Sequence, residues 1–269
     1  MNDARTGRDV EATVRVERRG RVHVVMIERN GRRNAFDDAM IERFREVLGD
    51  LAGSSPRAAV LASAGQESFS AGYDIRCIDP STQDDLPLPD ERFARATRAL
   101  ESLGCPVVAA LEGDAFGGGL ELAAACDLRV AAPEIRLAMT PVRLGLVYNP
   151  AGIARFLDRF GGATTRRLFL TAEPIGAEEA LRLGLVDEIV PAPRVLKRAI
   201  ELAGTIAGNA PLAVRGTLAA IRALERRRPL GEEDRRRVEE LRRRAWSSAD
   251  LRRALEAFAE KKKPDFRGQ

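Results

Sequence analysis

The sequence predicts an α/β fold with a helical C-terminal part. Two patterns predict it. Up to about residue 190, short apolar or alternating runs read as strands and are separated by helical periodicity. From Pro193 onward only helical patterns follow, over about 193–208, 211–227, 231–247 and 249–261. The chain has 269 residues, enough for one large domain or a domain with an appendage. Its composition, 45% hydrophobic and 31% charged, is that of an ordinary globular protein. The division falls into a core over 1–200 and a helical region over 201–269.

The elements follow in order. Residues 1–12 are polar and read as a frayed end. Val22–Glu28 is a strand, and Asn34 to Asp37 open a helix that runs to about Leu48. Arg57–Ala62 is a second strand, followed by a loop over Ser63–Asp74. Ile78–Asp90, rich in Pro and Asp, reads as a mobile loop that shapes the pocket. Glu91–Ser102 is helical, Val107–Leu111 a short buried strand, Gly113–Gly119 a glycine-rich turn and Leu120–Cys126 a helix of small residues. Leu128–Ala131 and Ile135–Ala138 are strands. Ala151–Phe160, Gly162–Thr171 and Gly176–Leu183 are helices, and Val186–Val190 is the last strand. No repeat of fixed period is visible.

Several function classes are excluded or disfavoured. No apolar run reaches the ~18 residues of a membrane span, and the Arg-rich N-terminus has no signal-peptide core. Cys77, Cys105 and Cys126 are scattered and form neither a disulfide framework nor a metal-ligand spacing, so a soluble, cytoplasmic protein is expected. The one histidine, His23, sits inside a strand pattern, which argues against a Ser-His-Asp hydrolase and a zinc site. GxSxG, GxGxxG and GxxxxGK[ST] are absent. Net charge is +4, with 17 basic and 10 acidic residues from Pro211 on. The signs are mixed along Glu232–Arg244, as on a solvated helix, and aromatic residues for base stacking are scarce there, so no nucleic-acid partner is expected. Only 4 of the 44 basic residues are lysine, and three of them are Lys261–Lys263. That cluster suggests a phosphate contact.

Two loops carry candidate chemistry. One is Phe69-Ser70-Ala71-Gly72-Tyr73-Asp74-Ile75. The other is Gly113-Asp114-Ala115-Phe116-Gly117-Gly118-Gly119-Leu120-Glu121, between a strand and a helix. Three glycines at a helix start either permit tight packing or leave free N–H groups at the positive end of the helix dipole. An N–H from the first loop would complete an oxyanion hole. Glu121, in the first helical turn, is favourable there on electrostatic grounds alone. Asp74 and Asp127 read as caps, Cys126 as core and Trp246 as a helix-packing residue.

FSAGYDI, EGDAFGGGLELAAACDLRVAA and FAEKKKPDF, in that order, resemble the crotonase (enoyl-CoA hydratase/isomerase) superfamily from about Val14 to Phe266. The resemblance implies a spiral of ββα units, a helical C-terminal trimerisation region and acyl-CoA substrates. It implies a homotrimer or a hexamer, and no cofactor beyond the coenzyme A of the substrate. It places an oxyanion hole at the backbone N–H groups of Tyr73 and Gly118, and Ala71, Gly72, Asp74 and Ile75 along the CoA. It gives Lys261 a CoA phosphate, often that of a neighbouring subunit.

Hydratases of this superfamily use two glutamates. Glu121 occupies the first position; the second falls on Pro141, which can neither activate water nor shuttle a proton. That departure disfavours hydration and double-bond isomerisation. AMTPVRLGLVYNPAGI resembles the methylmalonyl-CoA decarboxylase branch, as do LFLTAEPIGAEEALRLGLVDEIV and NAPLAV. This implies Glu121 and Tyr148 at the acid-handling end of the pocket and Thr140 lining the substrate. Tyr73 departs from that branch, which has histidine there. Tyr148 could equally be a loop tyrosine packed on the core. The leading expectation is decarboxylation of a malonyl or methylmalonyl thioester. The alternatives are a hydratase or isomerase with Glu121 as its one carboxylate, and a silent binding protein, for example for RNA.

Overall fold

A computed structural model describes residues 12–79, 88–225 and 246–262, together with residues 232, 236, 239, 240, 243 and 264. Of the expected helix over 231–247, residues 232, 236, 239, 240, 243 and 246 are described and helical; ten of its positions, and residues 80–87 of the expected loop, lie outside the described residues.

The chain opens with a hairpin, β1 (Thr13–Arg19) and β2 (Val22–Glu28), turned at Gly20, whose φ is +65°. The sequence reading missed β1, whose face is largely exposed and charged. Asp37 caps α1 (Asp38–Gly53) by accepting from the Met40 N–H at 2.9 Å. Asn34 does not open that helix. It has φ +53°, and its buried amide donates to the carbonyls of Ser68 (2.8 Å) and Ala64 (3.2 Å).

Three ββα units follow. They are β3 (Ala58–Ser63), β4 (Ser68–Ser70) and α2 (Pro89–Glu101); β5 (Val107–Leu111), β6 (Asp114–Phe116) and α3 (Gly118–Ala125); β7 (Leu128–Ala131), β8 (Arg136–Ala138) and α4 (Pro150–Thr171). The first strand of each unit joins a six-stranded sheet, completed by β10 (Glu188–Ile189), of order β1-β2-β3-β5-β7-β10, parallel beyond β2. The second joins a four-stranded sheet, completed by β9 (Ile175–Gly176), of order β4-β6-β8-β9. This two-sheet stack of ββα units is the crotonase fold. The repeat is invisible as a sequence period because the segments between strands differ in length and β4 and β6 have only three residues each.

Gly161, at φ 74° and ψ 167°, breaks α4 into the two helices read from the sequence. After β9 (Ile175–Gly176) and α5 (Ala177–Arg182), β10 (Glu188–Ile189) closes the large sheet against β7. In α6 (Val195–Gly208) the stripe Val195, Ala199, Ala203 and Ala207 is buried, at helical spacing, and the helix packs on β5, β3 and β7. α7 (Pro211–Glu225) and α8 (Ala249–Ala259) complete the described chain, with α8 packed on the turn Pro141–Leu144. All three thiols are free; burial pushes those of Cys105 and Cys126 up to about 12. Among the described residues no helix is long and apolar enough to cross a membrane.

Candidate active site

The two glycine loops meet. Every residue of α3 is buried, so its sequence is almost all Gly, Ala and Leu. A Cβ on Gly119 would lie 2.0 Å from the Ser70 carbonyl oxygen, and one on Gly118 2.7 Å from the Phe93 ring. Gly118 and Gly119 therefore serve tight packing, and Gly117 supplies a φ of +53°. The packing also brings backbone to backbone: a Cβ on Gly72, whose φ is +84°, would lie 2.6 Å from the Gly118 nitrogen.

The N–H of Tyr73 is aimed by strand alternation. Phe36 donates to the Gly72 carbonyl and Asp74 donates to the Phe36 carbonyl, both at 2.8 Å. The intervening Tyr73 N–H therefore faces the other way. Gly118 is the first residue of α3, so its N–H has no partner within the helix. Neither N–H has an acceptor among the described residues. Together they can hold one oxygen anion. Gly72→Ala is expected to displace the Gly118 donor and lower turnover about 10²–10³-fold, the cost of losing one such donor; steady-state kinetics on the folded variant checks this.

An apolar cavity opens beside these donors. Ala71, Tyr73 and Ile75 alternate along its wall, and Gly118 and Thr140 line it as well. The intervening residues face elsewhere. Gly72 packs on Gly118, and Asp74 caps the turn Ile75–Cys77 and pairs with Arg29 (3.4 Å) and Arg76 (2.7 Å). Burial holds the Asp74 carboxyl up against the pull of Arg29. The Tyr73 hydroxyl donates outward to Asp38 at 3.2 Å; burial and that carboxylate push it up to about 12. Lys261 is exposed just past α8 and does not line its own chain's cavity. Asp127 is structural: it accepts from the Val107 N–H (2.8 Å) and pairs with Arg222 (3.0 Å).

Pro141 lies in the cavity wall, where it opens the turn Pro141–Leu144. Tyr148, held just before α4 by the Asn149 cap, also lines the wall, and its ring stands edge-on to Phe169 at 5.8 Å. Its hydroxyl donates to Glu121 Oε2 at 2.5 Å. Glu121 is fully buried and stands behind Tyr148 rather than in the wall. Its Oε1 pairs with Arg155, whose Nε reaches Glu101 at 2.9 Å. Gly152 makes this contact possible, since a Cβ there would lie 2.5 Å from the Tyr148 ring and 3.0 Å from Glu121 Oε1. Burial pushes the Glu121 carboxyl up, and Arg155 opposes it. Burial and the neighbouring carboxylate push the Tyr148 phenol well above its ordinary value. Burial works against the Arg155 charge, yet Glu121 and Glu101 hold the guanidinium protonated.

Arg155 was missed by the sequence reading, because it is 34 positions from Glu121 and on another helix. Asp90 was read as loop; it sits in the first turn of α2 and lines the cavity. Trp246, read as a packing residue, is 7% exposed and also forms cavity wall.

Backbone donors converging beside an apolar cavity, on stacked ββα units, define an acyl-CoA enzyme of the crotonase superfamily. The enoyl-CoA hydratase/isomerase family model matches residues 17–269, and the chain belongs to that family. It is 32% identical to methylmalonyl-CoA decarboxylase of Escherichia coli, over 91% of this chain and 95% of the relative. It is 35% identical to short-chain-enoyl-CoA hydratase of Clostridium acetobutylicum, over 77% of this chain and 79% of the relative. A solved methylmalonyl-CoA decarboxylase in complex with 2-nitronate-propionyl-CoA superposes with a TM-score of 0.88, at 30% identity over 95% of this chain and 98% of that one.

Proposed function

We propose that the protein decarboxylates a malonyl-type CoA thioester, malonyl- or methylmalonyl-CoA, through a thioester enolate. The observation that carries this reading is Pro141 in the cavity wall, where a hydratase of the family has its second glutamate. Decarboxylation needs no base there. It needs an electron sink, a carboxylate turned out of the thioester plane, and a proton for the product.

The carbon–carbon bond to the carboxylate breaks and CO2 leaves. The electron pair moves onto the thioester oxygen, held by the N–H groups of Tyr73 and Gly118. The apolar wall solvates the carboxylate poorly and favours loss of a neutral molecule. The enolate carbon then takes the Tyr148 proton; Glu121, protonated on Oε2 in the reactive form, turns that hydrogen bond round and gives a proton to the phenolate, and it is reprotonated from water through Tyr148 once the product has left. One proton is consumed and one CO2 released per turnover. Tyr148 is the group that touches substrate; Glu121 acts through it. Thr140 lines the acyl site.

The coenzyme A lies along Ala71, Tyr73 and Ile75, with Lys261 of a neighbouring subunit on a phosphate, in a trimer or hexamer of a cytoplasmic protein. Leu212 and Phe258, 86% and 57% exposed, supply apolar surface in the helical region for such an assembly. Lys261→Ala is expected to weaken CoA binding by roughly 10-fold, the worth of about one phosphate contact at 1.4 kcal/mol, with kcat unchanged; calorimetric titration with CoA reads it.

A second reading rests on Asp90, a carboxylate in the same wall that could serve an enoyl-CoA hydratase. One experiment separates the two. Methylmalonyl-CoA and crotonyl-CoA are each followed by mass spectrometry. Conversion of the first to propionyl-CoA supports decarboxylation. Hydration of crotonyl-CoA alone, abolished in Asp90→Asn, establishes the second reading and removes the first.

A further inference from the structure

The proton source proposed for the enolate is Glu121, and what stands behind Glu121 deepens that reading. The cavity meets Tyr148; Tyr148 meets Glu121; Glu121 meets Arg155; Arg155 meets Glu101. These four side chains form one file, with Glu121 fully buried and the side chains of Arg155 and Glu101 9% and 20% exposed. At its far end Arg155 and Glu101 line a separate cavity, distinct from the acyl cavity.

We propose that Arg155, shared between Glu121 and Glu101, is a positioning residue that sets how readily Glu121 gives up its proton through Tyr148. The physical argument is a balance of two opposed effects. Full burial without a countercharge would keep a carboxylic acid protonated far into the alkaline range, too weak to reprotonate an enolate through a phenol. A guanidinium on Glu121 Oε1 stabilises the carboxylate left behind and strengthens the acid. Glu101 draws on the same guanidinium at 2.9 Å and so weakens its effect. Burial pushes the carboxyl up while Arg155 pulls it down, and the negative charges of Asp90 and Glu101 push it up again. Tyr148 contributes the remaining polar contact, from the segment before α4. Arg155 fixes geometry as well as charge. It occupies one oxygen of Glu121, so only Oε2 faces Tyr148, and Gly152 leaves the room for that contact.

The proposal predicts shifts of opposite sign. The Glu121 titration is followed by the infrared carbonyl band of its protonated carboxyl, assigned by its loss in Glu121→Gln. Arg155→Met is expected to move the midpoint up by about 1–3 pH units, the effect of removing one close opposite charge. Arg155→Lys, which keeps the charge and loses the planar fork, moves it up less. Glu101→Gln is expected to move it down, because Arg155 then serves Glu121 alone. The alkaline limb of the decarboxylation pH profile follows in the same directions, since activity needs Glu121 protonated. A purely structural role moves stability but not midpoints in opposite directions. The inference is overturned if Glu101→Gln leaves the midpoint at the wild-type value or raises it, and this variant decides even if Arg155→Met does not fold. The infrared titration does not depend on turnover. Inactivity toward methylmalonyl-CoA with opposite midpoint shifts would remove the proposed reaction and keep the role of Arg155; activity with unmoved midpoints would do the reverse.

Discussion

Tyr148→Phe is expected to lower the decarboxylation rate about 10²–10⁴-fold, the range over which a positioned acid contributes, while binding of the product propionyl-CoA changes by less than about 3-fold, under 1 kcal/mol. The split follows from the geometry. Phenylalanine keeps the ring in the cavity wall and its edge-on contact with Phe169, so the acyl group meets the same apolar surface. What disappears is the hydroxyl, the only group of the proposed proton path that reaches the cavity. Glu121 then has no route to the substrate, because it is fully buried behind the ring. It also loses the donor to Oε2, so a stability loss of about 1–3 kcal/mol accompanies the kinetic one. Single-turnover mass spectrometry and thermal melts separate the two effects. A variant that melts early but decarboxylates at the wild-type rate would reduce Tyr148 to a packing residue.

The sequence located the elements that stand as an unbroken apolar or alternating run between turn residues. Val107–Leu111 and Leu128–Ala131 match the structure residue for residue. The two helices flanking Gly161 were separable because glycine there takes a φ of +74° that ends a helix. Of the second sheet only β8 was legible, within the strand read over Ile135–Ala138. β4 and β6 have three residues each, too few for alternation to register, and both lay in stretches whose glycine and serine content reads as loop.

The site divides in the same way. Its backbone half was legible, because Gly72 and the Gly117–Gly119 run leave a local mark on the sequence: only glycine tolerates the approach of Gly72 to the Gly118 nitrogen. Tyr148 and Thr140 could be assigned only through family resemblance, and both line the cavity. The charge balance around Glu121 left no mark. Arg155 is one of 40 arginines; most of the described ones are exposed, and nothing in its local sequence sets it apart from them. Its partners come from the end of α2 and the start of α3, brought together only when the units stack.

That stacking makes Arg155 a stability residue with a predictable pH dependence. Arg155→Met is expected to destabilise the protein by about 3–5 kcal/mol at neutral pH, the cost of stripping one partner from a buried ion pair. Methionine fills similar space, so the loss is electrostatic rather than a cavity. Glu121 is left with a single polar contact and no countercharge, and Glu101 loses its bond to Nε. Burial already holds the Glu121 carboxyl above its unfolded value, and removing the guanidinium raises it further. A group whose folded value lies above its unfolded one favours the folded state below the unfolded value, where it is protonated in both states. That contribution is lost as pH rises through the folded value. Melting of Arg155→Met should therefore approach the wild type near pH 4–5, about the ordinary glutamate range, and fall behind it steadily on the alkaline side. Adding Glu121→Gln removes the stranded carboxylate and should flatten most of that difference, a coupling that a double-mutant cycle measures directly. If the single variant is equally destabilised at pH 5 and pH 8, Arg155 contributes packing and not charge. The electrostatic account of Glu121, and of the acid it supplies to Tyr148, would then fail with it.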